Sequence, residues 1–322
     1  MNNIEFVRNN IIAKEVVLID GAPRSAKSLL GQIIGSFHRV EIERMEPFIE
    51  SIPILFHYNK ISQDAATVLL KREVDIKLYD SMISRNTNFR FADRTSIFKD
   101  TNTFKYLKRL FKNEGKDVLN RIHQKKPIFQ LMTHDMLQKS DIFFNIYGSG
   151  LKIIEMVRHP IDLVVSMNEH GYGSSIGENP LLWELAIKSS KQDIPYYAIK
   201  WIDEFLEISP FERIIKIISN LTIEVNDKYR SLPKRKQNQI LFIPYEKFVT
   251  TPNGYIAQLS EFLGTRTTRR TKNAMSKQRI PRSINILNRS KKYDLILKKA
   301  SKPYVKLLDC LIKDYEKEYL NN

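Results

Sequence analysis

The sequence predicts a three-layer α/β/α fold, in which a central parallel sheet carries helices on both faces. Short apolar runs typical of buried strands occur at Val16–Ile19, Ile128–Leu131, Lys152–Val157 and Ile240–Ile243. Longer stretches with helical spacing separate these runs, and strands that alternate with helices favour parallel pairing. Ligands of such sheets bind beyond the carboxyl ends of the strands, so we expect the chemistry at each strand's last residues.

The segments between the strands are predicted to be mostly helical insertions, at about 48–123 and 170–239. Within the second insertion, the run Ser-Pro-Phe-Glu is a capping box that begins an apolar-faced helix over 209–221. The rest of this insertion shows no clear strand pattern. A C-terminal helical segment at about 283–322 contains the amphipathic stretch Tyr293–Tyr319, which we expect to dock on the core.

Composition limits the class of protein. The chain has 322 residues, of which 42% are hydrophobic, as in soluble globular proteins, and we predict a single domain over 1–322. The net charge of +16 predicts an anionic partner or ligand, such as nucleic acid, a bisphosphorylated nucleotide or an acidic glycan.

Cysteine content and apolar runs bear on the compartment. The single cysteine, Cys310, excludes an internal disulfide and a cysteine-based zinc site. Its apolar neighbours predict a buried position in a helix. The sequence shows no signal pattern and no apolar run of about 18 residues, so we predict a soluble, cytoplasmic protein with no membrane span.

The first strand leads into the loop IDGAPRSAKSLL, residues 19–30. A tight turn at Gly21 and a helix that starts near Lys27 would direct backbone N–H groups at one point, where a phosphate binds well. Two interpretations compete. As Gly-x-x-x-x-Ala-Lys-Ser, the loop resembles a nucleotide-triphosphate P-loop with Ala for its second Gly, which implies an ATP-dependent kinase that uses Gly21–Ser28. As Pro-Arg-Ser, residues 23–25 resemble the sulfate-donor loop of a sulfotransferase.

A triphosphate-using enzyme also needs a magnesium carboxylate, commonly an Asp that ends a second strand. The strand at Lys152–Val157 is followed by Arg158, and the strand at Ile240–Ile243 by Pro-Tyr-Glu. Neither strand is followed by the Asp, so the kinase hypothesis lacks the carboxylate that would bind magnesium. A basic nucleic-acid-binding protein with a degenerate loop is a third hypothesis, for which the sequence offers no recognisable motif.

The stretch after the third strand favours the sulfotransferase interpretation. The run RHPIDLVVS, residues 158–166, resembles the signature Arg-x-Pro-x-Asp-x-x-x-Ser of the sulfotransferases that use 3′-phosphoadenylyl sulfate (PAPS). Its Pro begins a helix and its Ser lies about two turns along that helix, so a guanidinium and a hydroxyl can converge on one phosphate. Tyr-Glu-Lys-Phe with a later Pro and Phe-Leu-Gly, over 245–264, resembles the family's third segment.

The resemblance implies a P-loop-like fold, transfer of a sulfuryl group from PAPS to a hydroxyl, release of adenosine 3′,5′-bisphosphate, and no required metal. It implies that the donor is bound by Ala22, Pro23, Arg24, Ser25, Ala26, Lys27, Ser28, Arg158 and Ser166. In the family, the counterparts of Arg158 and Ser166 hold the 3′-phosphate, and that of Arg24 neutralises the leaving group. Family loops have Gly and Thr where this chain has Ala26 and Lys27, and Ala restricts φ where Gly lets the backbone approach the phosphate.

A hydroxyl acceptor also needs a base, and two residues compete for this role. His134 ends the run QLMTH, which resembles the Lys-Thr-His after the equivalent strand of cytosolic sulfotransferases, with Met132 in place of Lys. A neutral imidazole suits proton abstraction near neutral pH. Glu46, in ERMEPF, lies where the tyrosylprotein branch and many bacterial members keep their base. The sequence leaves both candidates open.

The acceptor is predicted to be a carbohydrate, as a glycan or a small molecule, rather than a steroid or phenol. This prediction rests on the Pro-Arg-Ser loop, which resembles the carbohydrate and tyrosylprotein branches, and on the basic surface. No nucleic-acid or membrane partner is predicted. Arg279 and Arg282 lie where some relatives close a basic loop over the donor phosphate, although a basic surface run is the simpler interpretation.

Overall fold

The computed structural model describes residues 4–93, 95–174 and 183–321. Its strands are β1 (Glu15–Asp20), β2 (Ile128–Met132), β3 (Leu151–Val157), β4 (Ala186–Ile187), β5 (Ile194–Pro195) and β6 (Ile240–Pro244). The four longer strands form one parallel sheet in the order β2-β1-β3-β6, which confirms the four predicted strands. Because the pairing is parallel, the carboxyl ends of these strands meet at one edge of the sheet.

Helices cover both faces of this sheet. Over the described residues they are α1 (Lys27–Ile34), α2 (Pro47–His57), α3 (Gln63–Ile83), α4 (Thr103–Arg109), α5 (Lys116–Lys125), α6 (Asp141–Tyr147), α7 (Pro160–Glu169), α8 (Ile202–Glu207), α9 (Pro210–Ser231), α10 (Lys234–Gln237), α11 (Tyr245–Thr250), α12 (Pro252–Phe262), α13 (Arg269–Lys277), α14 (Ile286–Lys299) and α15 (Lys302–Tyr315). None of these helices is long and apolar enough to cross a membrane. The predicted capping box opens α9, where Ser209 and Glu212 each accept the other's backbone N–H through their side chains.

Alternate side chains of the central strands enter two different cores. Val16 and Leu18 join the core formed with α2, α3, α5 and α6, while Val17 and Ile19 join the core formed with α1, α12 and α13. A strand that is apolar on both faces needs cover on both sides. The predicted three-layer α/β/α arrangement around a parallel sheet is therefore confirmed.

The C-terminal segment forms α14 and α15, which pack on α7 and α9, so the predicted docking on the core is confirmed. The expectation for Cys310 is wrong, because this residue lies in α15 but is exposed. The buried stripe of α15 runs through Leu308, Leu311 and Tyr315. Cys310 precedes Leu311 by one residue, which places it about 100° around the helix from that stripe.

The insertion over 170–239 departs from its prediction at one point. Its β4 and β5 pair in antiparallel fashion, where the sequence shows no clear strand pattern. Strands of two residues are too short to show alternating hydrophobicity in a sequence. Residues 175–182 of this insertion lie outside the described ranges.

Candidate active site

The loop between β1 and α1 turns sharply at Gly21. This residue has φ +131°, and a Cβ there would lie 2.5 Å from the Met156 carbonyl oxygen, so only glycine fits. Arg24 and Ala26 also have positive φ, of 68° and 77°. Left-handed residues in such a turn direct neighbouring N–H groups to one concave side, and α1 begins directly after it. The loop therefore has the backbone shape of an anion-binding turn, although Ala26 occupies a conformation that favours glycine.

Lys27, the first residue of α1, is almost fully buried. Its Nζ donates to the carbonyl oxygens of Gly21 at 2.6 Å and Ala22 at 2.8 Å. Burial lowers the pKa of Lys27, and the neighbouring Asp20 carboxylate acts in the opposite direction. The Lys27 ammonium group thus binds the carbonyl oxygens of the loop. This contact stabilises a loop conformation in which the backbone N–H groups face away from Lys27.

The second sequence motif meets the first loop. Arg24 Nε donates to the Ser166 hydroxyl at 3.1 Å, and Arg158 Nη1 donates to the Arg24 carbonyl oxygen at 2.8 Å. The guanidinium of Arg158 also stacks over the Tyr245 ring, 4.9 Å from its centroid. The end of β3, the second turn of α7 and the β1–α1 loop are therefore brought together at the carboxyl edge of the sheet.

A cavity of about 970 Å³ opens at this edge, and we call it the basic cavity. Its lining residues are Arg24, Ser25, Ala26, Lys27, Ser28, Leu29, Gln32, Met45, Asp93, Thr95, Phe98, Lys99, Met132, His134, Arg158, Tyr172, Tyr245, Lys277, Gln278 and Arg282. Six of these residues are cationic and one is acidic, so the cavity suits a large anion. Arg282, which the sequence favours as a surface residue, lies in this wall with its guanidinium on the Tyr245 hydroxyl, whereas Arg279 lines a separate groove.

His134 follows β2 and is held by a carboxylate from α2. Glu50 Oε2 lies 3.1 Å from His134 Nδ1 and accepts the His134 backbone N–H at the same distance. A carboxylate at Nδ1 favours the tautomer that carries its proton there, which leaves Nε2 as the proton acceptor. Glu50 was not anticipated from the sequence, since 84 residues separate it from His134.

A second cavity, of about 260 Å³, borders the first and shares Met45, His134 and Tyr172 with it. We call it the aromatic cavity. Its lining residues are Pro23, Met45, Pro47, Glu50, Ser51, Ile54, His134, Asp135, Tyr172, Trp183, Glu184, Leu185, Tyr196 and Tyr197. His134 therefore lies where the two cavities meet, within reach of molecules in either one.

Glu46 lies at a different place. Its carboxylate is 2.8 Å from Lys77 Nζ and 4.0 Å from Arg44 Nη1. It lines a third cavity, of about 200 Å³, together with Arg44 and Asn88. The structure thus brings His134 to the border of the basic cavity and leaves Glu46 in an ion pair outside both that cavity and the aromatic one.

A buried carboxylate fixes the turn that carries His134. Asp20, at the end of β1, accepts hydrogen bonds from the Thr133 hydroxyl at 3.0 Å and from the N–H groups of Met136 and Leu137 at 2.7 and 2.6 Å. Asp135 lies within the same turn and is also buried. Burial raises the pKa of Asp135 to about 6, and the nearby Asp20 adds to the effect. These contacts tie the carboxyl ends of β1 and β2 together beside the loop.

Comparison with known proteins gives a family match. A family model described as a sulfotransferase domain matches residues 17–319. One similar solved structure is the sulfotransferase domain from the curacin biosynthetic pathway, with 10% identity over 94% of this chain and 97% of that chain and a TM-score of 0.49. A second is the sulfotransferase domain from the Synechococcus PCC 7002 olefin synthase, with 12% identity over 96% of each chain and a TM-score of 0.47. A third is the sulfotransferase from Alicyclobacillus acidocaldarius, with 14% identity over 94% of this chain and 96% of that chain and a TM-score of 0.41. No curated protein sequence matches the chain. The family assignment rests on the family model, which spans most of the chain.

Proposed function

The chain belongs to the sulfotransferase family, and we propose that it uses PAPS as the donor and a hydroxyl of a carbohydrate as the acceptor. The observation that carries the proposal is the meeting of Arg24, Arg158 and Ser166 at the mouth of the β1–α1 loop. Two signatures separated by more than a hundred residues converge there on one basic cavity, as a nucleotide with phosphates at both ends requires.

The unpaired donors of the basic cavity support an anionic nucleotide. Among the described residues, Arg158 Nε and the Ser25 hydroxyl are buried and have no hydrogen-bond partner. Buried donors of this kind are costly unless a ligand accepts from them. Both belong to residues that line the basic cavity, so a phosphate there would satisfy them.

In this proposal different residues bind the two ends of the donor. The N–H groups after Gly21 and the side chain of Ser25 bind the 5′ end, and Arg158 with Ser166 binds the 3′-phosphate. When bound, PAPS supplies the sulfuryl group and retains the bonding electron pair on its 5′-phosphate oxygen. Arg24 stabilises negative charge at that oxygen, because its guanidinium is held by Ser166 at the border of the same cavity.

We assign the base to His134. Its Nε2 removes the proton of the acceptor hydroxyl while the Glu50 carboxylate stabilises the imidazolium through Nδ1. The position of His134 between the two cavities supports this role, since the proton must be removed where the acceptor meets the donor. Glu46 is the weaker candidate, because Lys77 pairs with its carboxylate at 2.8 Å.

The aromatic cavity supports a carbohydrate acceptor. Four of its side chains, Tyr172, Trp183, Tyr196 and Tyr197, combine flat apolar faces with polar edges. Such rings match a sugar, whose C–H faces and hydroxyl edges have the same mixed character. A small acceptor group bound there would lie next to His134.

Calorimetry with adenosine 3′,5′-bisphosphate and with ATP tests the proposal. We expect the bisphosphate to bind more tightly than ATP, and Arg158→Ala to weaken its binding by about 10–100-fold, the effect of one charged hydrogen-bonding group. Lys299→Ala, which alters an exposed cation of α14, is the matched control and should leave the affinity unchanged. A preference for ATP, or unchanged affinity in Arg158→Ala, would contradict the proposal.

A further inference from the structure

The charge of the aromatic cavity is opposite to that of the chain. Its lining includes three acids, Glu50, Asp135 and Glu184, and within the described residues it includes no Lys or Arg. The chain carries a net charge of +16, and the adjoining basic cavity has six cations to one acid. An acidic acceptor would therefore meet like charge in the aromatic cavity, which disfavours binding.

Two of the three acids are available to a ligand. Glu50 is occupied by His134. Glu184 is half-buried and has no ion pair or hydrogen bond to any described residue, and it lines the aromatic cavity together with Tyr172 and Tyr197. Burial raises the pKa values of these two tyrosines, and the charge of Glu184 adds to the effect. No described residue pairs with the Glu184 carboxylate, which leaves it available to a ligand in the cavity.

Asp135 provides an independent second observation. The residue is only 3% exposed, and its carboxylate accepts no hydrogen bond from the described part of the chain. Lys139 donates to the Asp135 backbone carbonyl at 3.2 Å rather than to the carboxylate, and the charges of Lys139 and Lys27 offset that of Asp135 only in part. A buried carboxylate that lines a cavity without a donor favours a ligand that supplies one.

The rings complete the arrangement. A cation over the face of Tyr or Trp is attracted by the ring quadrupole, most strongly where water is excluded. Tyr172, Trp183 and Tyr197 line the same cavity as Glu184 and Asp135. Tyr196 lines it too, but the Lys139 ammonium already lies 5.2 Å from the centroid of its ring. Carboxylates and aromatic faces together are the chemistry that recognises an ammonium group, and a neutral sugar would use only the second of these.

We propose that the acceptor carries an amine as well as the hydroxyl that is sulfated, as an amino sugar does. Its ammonium group binds among Glu184, Asp135 and the rings of Tyr172, Trp183 and Tyr197, and its hydroxyl reaches His134 at the border with the basic cavity. This inference rests on the proposed function, because it concerns the acceptor of the same transfer. The inference narrows the proposed acceptors from carbohydrates in general to carbohydrates that carry a positive charge.

Three matched glucosides test the inference by calorimetry in the presence of adenosine 3′,5′-bisphosphate. The probes are 2-aminoethyl, 2-hydroxyethyl and carboxymethyl glucoside, which differ in charge and share one ring. We expect the aminoethyl glucoside to bind about tenfold more tightly than the hydroxyethyl glucoside, the effect of one charge-assisted contact, and the carboxymethyl glucoside to bind most weakly. Glu184→Gln should reduce the aminoethyl preference to about threefold or less.

The matched control is Glu207→Gln, which removes an exposed acid at the end of α8, remote from the lining of the aromatic cavity. It should leave the preference at its original value. Equal binding of the three probes, no binding of any of them, or a preference unchanged by Glu184→Gln would overturn the inference. The bisphosphate titration in the same experiment separates the two proposals: its failure contradicts the donor assignment, whereas bisphosphate binding without an amine preference contradicts only the acceptor class.

Discussion

The basic cavity and the aromatic cavity meet at His134, yet they differ in charge and in origin. The basic cavity takes seven of its twenty lining residues from the β1–α1 loop and α1, and it has six cations in its wall. The aromatic cavity draws most of its rings from the insertion around β4 and β5, and its charged groups other than His134 are acids. The net charge of the chain therefore agrees with the charge of the basic cavity, which we propose binds the donor, and it is a poor guide to the cavity that we propose binds the acceptor.

The largest expected effect is on turnover, and it comes from substitution of His134 at the border between the two cavities. His134→Ala should lower kcat by about 10²–10⁴-fold, the usual contribution of general-base catalysis, while the affinity for adenosine 3′,5′-bisphosphate stays within about twofold. Glu46→Ala should leave kcat within a few-fold of its original value, because the Glu46 carboxylate is paired with Lys77 outside both cavities.

Steady-state kinetics with PAPS and an acceptor, together with bisphosphate titrations, measure both variants. A loss of turnover in Glu46→Ala with normal turnover in His134→Ala would reverse the assignment of the base. It would also show that the acceptor enters from the Glu46 side, so that the aromatic cavity is not where the acceptor binds.

The next largest effect concerns Asp135 of the aromatic cavity, which should make the free energy of unfolding depend on pH. Burial raises the pKa of Asp135 from 3.8 to about 6, so the folded chain holds this proton more tightly than the unfolded chain does. Ionisation of Asp135 therefore destabilises the fold: the cost is absent below about pH 4 and fully present above about pH 6. Asp135→Asn cannot ionise, and it should raise the free energy of unfolding by about 1–3 kcal/mol at pH 8 and by much less at pH 4.

Urea unfolding of the variant and the original chain at the two pH values checks this prediction. Asp294→Asn, at an exposed position of α14, is the control and should show no comparable difference between pH 4 and pH 8. Destabilisation by Asp135→Asn at pH 8 would mean that the carboxylate has a stabilising partner there, which would weaken the case for an amine ligand.

Sequence reasoning served the basic cavity better than the aromatic one, for a physical reason. The four long strands and the turn at Gly21 follow from short apolar runs and a glycine, signals that act within a few residues. The helix-starting proline likewise places Ser166 on α7, where its hydroxyl accepts from Arg24. The partners of the two base candidates join distant elements. Glu50 of α2 contacts His134 after β2, and Lys77 of α3 contacts Glu46 at the start of α2. Such pairings leave no periodic pattern, so only the folded chain reveals them.

The aromatic cavity could not be predicted from the sequence either, because the elements that carry its rings leave no clear pattern there. Its rings at Trp183, Tyr196 and Tyr197 flank strands of two residues, and aromatic side chains in a helical insertion are equally expected from ordinary packing. Likewise the apolar neighbours of Cys310 indicated burial, although the stripe of Leu308, Leu311 and Tyr315 leaves it on the exposed side of α15. Composition indicates which residues favour burial, whereas helix phase decides which of them are buried.

The smallest expected effect concerns the backbone of the β1–α1 loop. Ala26 has φ 77°, a left-handed conformation that costs a non-glycine residue about 1–2 kcal/mol. Ala26→Gly removes this cost but adds about 0.4–1 kcal/mol of unfolded-state entropy, so the net gain in the free energy of unfolding should be about 0.5–1 kcal/mol. Ala66→Gly, within α3, is the comparison and should lower stability by about 1–2 kcal/mol, because glycine is unfavourable in a helix and the methyl group of Ala66 is buried in the core. Denaturant unfolding measures both changes, and a loss in Ala26→Gly as large as that in Ala66→Gly would show that the loop holds Ala26 without backbone strain.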